Sequence, residues 1–128
     1  MSEFKERGAA VPDPNDFDAE KTDLDPRVEL RLSFSETLTR HGFSDTLVLA
    51  RERAGVVFHD RRLEIIDYLD THEPRSVRAL AEELGYDKGV VSRDLQKLAS
   101  IDVVEYEKAG RAKAPRLAHE HIVIEPVI

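Results

Sequence analysis

The stretch from Ser76 to Ser100 constrains this chain more than any other part of its sequence. Ser76 stands as a helix cap ahead of Val77, Leu80, Ala81 and Leu84, which recur at helical spacing. Gly85 stops that helix. Asp87 caps the next one, over residues 88–99, with Val91, Leu95 and Leu98 inward at steps of four and three. Only Gly85 and Tyr86 lie between the first helix and the second cap. A glycine that accepts positive φ lets two helices meet steeply across so short a connection.

The flanks extend this pair. From Asp60, the residues Leu63, Ile65, Ile66 and Leu69 mark an amphipathic helix that Pro74 closes. After Asp102, Val103 to Glu107 reads as a strand, Lys108 to Arg111 as a turn, and a return strand ends near Leu117. His121 to Glu125 reads as a further strand, stopped or bent at Pro126. Three helices followed by a hairpin predict an α+β fold, a winged helix-turn-helix, with its wing over residues 104–117.

Residues 1–27 read as an acidic, disordered tail, with three prolines in VPDPNDFDAEKTDLDP and few apolar groups to offset ordering entropy. Val28 to Phe34 alternates apolar and polar residues, a period of two that predicts a half-buried strand. Ser35 to His41 reads as a helical turn ended by Gly42. Ser44 then caps a predicted helix over Asp45–Ala54, with Gly55 as its stop. Val56 to Phe58 is either extended or the lead-in to the next helix. The expected organisation is a tail (1–27), a strand/helix extension suited to dimerisation (28–57) and a winged helix domain (58–128).

Charge is unevenly spread. The chain carries a net −7, an unusual balance for a partner of nucleic acid, where lysine and arginine release condensed counterions. Residues 1–74 hold 10 basic and 17 acidic side chains, whereas residues 75–116 hold 9 basic and 7 acidic. The positive stretch is the one that carries the paired helices and the wing. Arginine (13) outnumbers lysine (6), aspartate is plentiful and aromatics are 6%. Such an acidic, lysine-poor surface suits a salt-loving cell, where repulsion is screened; an ordinary acidic protein is the alternative. The absence of cysteine, of a signal-peptide core and of a long apolar run makes a cytoplasmic protein with no membrane contact the expectation.

The helix over 88–99 sorts by face. With Val91, Leu95 and Leu98 inward, Gly89, Ser92, Arg93 and Gln96 point outward, flanked by Lys88 and Lys97, and Asp94 faces sideways. Arg93 can pair two hydrogen bonds with guanine and Gln96 with adenine. Ser92 can bond a phosphate or a base, Gly89 permits close backbone approach, and Val90 can rest on a thymine methyl. In the wing, Lys108, Arg111, Lys113 and Arg116 fall within nine residues, with no acid between Lys108 and Glu120. Arg111 and Lys113 are its principal candidates for phosphate or minor-groove contact. Ser76 and Arg78, at a helix start with free N–H groups, are candidate phosphate contacts.

FHDRRLEIIDYLDTHEPRSVRALAEELGYDKGVVSRDLQKLASIDVVEYEKAGRAKAPRL, with the terminal HIVIEPVI, resembles the winged helix transcriptional regulators of haloarchaea, in the broad MarR/ArsR-like group. The resemblance covers residues 58–128. It implies sequence-specific binding to double-stranded DNA, as a homodimer and usually as a repressor, with DNA-reading positions at Lys88, Val90, Ser92, Arg93 and Lys97. One departure is Ala99-Ser100-Ile101-Asp102, a helix end without glycine. No small-molecule effector, cofactor or metal is implied. The competing reading is a protein-interaction adaptor or antitoxin-like partner that does not read DNA. His119 and His121 would share one strand face, but no third metal ligand is evident. No nucleophile motif, phosphate loop or metal-protease pairing points to an enzyme.

Overall fold

A computed structural model describes residues 25–126. The chain divides into two compact units, one formed by the N-terminal segment through Arg51 together with the C-terminal segment from Glu120, the other by residues 52–119.

The first unit opens on helix α1, Pro26–Arg40, where a strand was expected from the alternation in Val28–Phe34. The start signals lie just upstream: the Asp25 carboxylate accepts the Arg27 N–H at 2.8 Å, and Pro26 occupies the first turn. The tail reading therefore gives way at residues 25–27, and its remainder lies outside the described residues. Ser35 is buried, with Val28, Leu32 and Leu38 partly covered, so the helical face runs through the apparent alternation.

The helix expected over Asp45–Ala54 is also absent. In its place stand strand β1, Thr46–Leu49, a 3-10 turn, Arg51–Arg53, and the short helix α2, Ala54–Val57, which contains Gly55. Asp45 adopts φ +51, a conformation that a helical first turn excludes. Its carbonyl accepts N–H bonds from Glu120 and His121, which start strand β4, His121–Ile124. β1 and β4 pair in parallel, Thr46 opposite His121 and Leu49 opposite Ile124. The C-terminal strand thus pairs with the N-terminal segment. Glu125, directly after β4, is buried; it receives the Arg51 N–H at 3.0 Å, Arg31 at 2.8 Å and an ion pair from Arg27. These three donors outweigh burial and hold its carboxyl at about 2.

The second unit follows the sequence closely. Helices α3 (Asp60–Thr71), α4 (Val77–Leu84) and α5 (Lys88–Ser100) precede an antiparallel hairpin of β2 (Val104–Ala109) and β3 (Ala112–Leu117). Ser76 caps α4 through the Ala79 N–H, at 3.0 Å. Gly85 ends it at φ +78, the left-handed value for which glycine is suited. Ile65, Leu80, Val91, Leu95, Leu98, Val103 and Ala114 are fully buried and form one core from the three helices and the hairpin. Where α5 ends without glycine, Asp102 itself takes φ +66, one of the few residue types that does so readily.

Candidate nucleic-acid interface

α5 begins at a strong cap. Asp87 Oδ2 accepts the Gly89 N–H at 2.9 Å and the Val90 N–H at 3.4 Å. A Cβ on Gly89 would sit 3.0 Å from that oxygen and 3.6 Å from Arg93 Nη1, so glycine makes room for the cap. Val91, Leu95 and Leu98 face the core as the spacing predicts. Gly89, Ser92, Arg93 and Gln96 follow steps of three and four, which place them on one outward stripe. Lys88, Arg93, Gln96 and Lys97 are exposed, whereas Gly89, Val90 and Ser92 are half-buried.

The one acid within α5 is turned inward. Asp94 is only 2% exposed, and both Arg61 and Arg62 of α3 bind its carboxylate. Arg62 Nε donates to Oδ1 at 3.0 Å, Arg61 Nη2 donates to Oδ1 at 3.2 Å, and Arg61 Nε pairs with Oδ2. Burial would raise the carboxyl pKa, but the arginine hydrogen bonds and charges overcome it and hold Asp94 below its usual value. The sideways direction expected for Asp94 is thereby corrected. Its spacing carried the corrective signal, since 91, 94, 95 and 98 form one helical face.

The hairpin turns on Gly110 and Arg111, with Gly110 at φ +65 and Ala109 paired to Ala112. The expected four-residue turn shortens to two, and Lys108 becomes the strand partner of Lys113. Lys108, Arg111 and Lys113 are all exposed around this tip. Directly opposed like charges destabilise a strand pair, which a bound anion would relieve. Arg116 belongs to the wing's base instead. It donates to Glu107 at 3.0 Å and to the Pro74 carbonyl at 2.7 Å, which ties β3 to the segment that enters α4. At that entrance Ser76 is occupied as a cap and Arg78 is exposed.

His119 precedes β4 rather than sharing its face. His121 lies 2.8 Å from the Ser44 carbonyl through Nδ1 and meets the Phe43 ring edge-on. Among the described residues no group of three or more His, Cys, Asp or Glu side chains is placed to hold a metal, and no helix is long and apolar enough to cross a membrane.

A short helix pair joined at Gly85, a bracing third helix and a hairpin with a basic tip define a winged helix-turn-helix domain. The chain belongs to the HVO_A0114 family, whose model matches residues 57–124. A similar solved structure is the homodimeric winged helix-turn-helix DNA-binding domain (fragment 1–100) of Mb0332 from Mycobacterium bovis, described as a possible ArsR-family transcriptional regulator. It shares 34% identity over 51% of this chain and 59% of that one, with a TM-score of 0.48. No curated protein matches the chain.

Proposed function

We propose that this protein is a sequence-specific, double-stranded-DNA-binding transcriptional regulator that acts as a homodimer and represses by occupying promoters. α5 enters the major groove, where Arg93 and Gln96 read base edges and Lys88, Ser92 and Lys97 hold the helix in register. Arg111, Lys108 and Lys113 reach flanking phosphates or the minor groove, and Arg78 meets the backbone beside α4. Two copies would place their reading helices about one helical turn apart on a near-palindromic site.

The observation that carries this reading is the disposal of charge on α5: its single acid is buried between two arginines, and its exposed face bears cations and hydrogen-bonding groups. The acidic composition fits the cytoplasm of a salt-loving archaeon, where sequence discrimination leans on base hydrogen bonds because high salt weakens counterion release. No catalytic role is needed for such a regulator. A mobility-shift titration across salt concentrations tests the proposal. Wild type is expected to shift duplex DNA, Arg111→Ala to weaken binding evenly across sequences, and Arg93→Ala to relax sequence preference by roughly 1–3 kcal/mol at one base position. An unchanged preference in Arg93→Ala would overturn the assignment of the reading face.

A further inference from the structure

α3 holds the reading helix by polar contacts at two points. Near its start, Arg61 and Arg62 both bind Asp94, in the middle of α5, and Arg62 Nη1 donates onward to the Val56 carbonyl at 3.0 Å. Further along α3, Glu64 Oε1 accepts the Tyr86 hydroxyl at 2.6 Å. Tyr86 is the turn residue two positions before α5. The N-terminal half of α5, from Lys88 to Arg93, lies between these two anchors.

We propose that Arg61, Arg62 and Glu64 form a two-point clasp that sets the rotation and tilt of this half of α5, making Asp94 and Tyr86 positioning residues for sequence discrimination. The inference rests on the DNA-reading function proposed above and assigns how that reading surface is aimed. Apolar contacts at Val91, Leu95 and Leu98 hold α5 on the core but are non-directional, and leave its fine azimuth less sharply defined. Planar guanidinium hydrogen bonds are directional and define it. A rotation of about 20° moves a group about 6 Å from the helix axis by roughly 2 Å, enough to break a base contact. Arg93 is the chain neighbour of Asp94, so the azimuth of one sets that of the other. Replacing a whole buried ion cluster by apolar side chains is often near neutral, whereas removing Asp94 alone leaves two arginines without their partner, so the clasp serves stability as well as aim.

The full chain carrying the mild Tyr86→Phe separates aim from stability, and Asp94→Leu is read beside it at a temperature where it remains folded. Each is compared with wild type for melting temperature and for the affinity ratio between a duplex selected by wild type and its scrambled counterpart. Asp94→Leu is expected to lower the melting temperature, because it strips Arg61 and Arg62 of their shared partner, and at a temperature where it is still folded the ratio should fall tenfold or more. Tyr86→Phe should reduce the ratio severalfold with an unchanged salt dependence. A folded variant pair with the wild-type ratio would overturn the clasp. Residual dipolar couplings supply a readout that needs no DNA and covers a misfolded Asp94→Leu: in Tyr86→Phe, α5 should reorient against α3, and superimposable couplings would overturn the clasp. If wild type itself does not discriminate between duplexes, the DNA-reading function fails, and the couplings alone decide the clasp.

Discussion

Arg93 and Asp94 are neighbours in sequence with opposite surroundings: one is exposed, the other buried against two arginines. A helix turns by about 100° per residue, enough to separate the proposed reading group from an anchoring one. The caps act at the same scale. Ser76 and Asp87 each satisfy N–H groups that the first turn of a helix leaves open. Asp87→Ala should cost about 1 kcal/mol and loosen the first turn of α5, measurable by thermal melting and by amide exchange at Gly89 and Val90. Both caps were legible in the sequence, because each rests on a side chain and a backbone N–H two or three residues away. The inward direction of Asp94 was legible in its spacing with 91, 95 and 98, but its partners were not, since they lie more than thirty residues upstream and only packing brings them together.

Among the elements, those with local signals formed as predicted. α3, α4 and α5 carry helical periodicity with identifiable ends, and the wing has glycine at the position its tight turn needs. The N-terminal elements answered to longer-range or competing signals. The alternation in Val28–Phe34 suggested a strand, yet Asp25 and Pro26 start a helix there. β1 is decided by its parallel partner some 75 residues away, which no local pattern announces. The wing offers a prediction of its own. Replacing Lys108, Arg111 and Lys113 together by alanine should make log K fall less steeply with log salt, by roughly 0.9 for each phosphate no longer neutralised. Fluorescence anisotropy at several salt concentrations reads this slope. An unchanged slope would remove the wing tip from the interface.

For the whole molecule, acid should act through the buried carboxylates. The folded-state pKa of Glu125 is about 2, depressed below the ordinary value of 4.5. Its stabilising contribution is therefore complete above about pH 4.5 and is lost as pH falls toward 2. Asp94 is depressed in the same direction and adds to the loss. Melting temperature should fall through this range, and Glu125→Gln should melt lower at neutral pH with a flatter acid dependence. The net −7 bears on association rather than on fold: at low salt it opposes approach to DNA, against which the positive segment 75–116 must prevail. The most direct measurement of the central claim is selection of duplexes from a randomised pool by the full-length protein, repeated from low to molar salt. The account predicts one enriched, near-palindromic motif whose preferred bases change in Arg93→Ala and persist in Arg111→Ala. No enrichment at any salt concentration would contradict it.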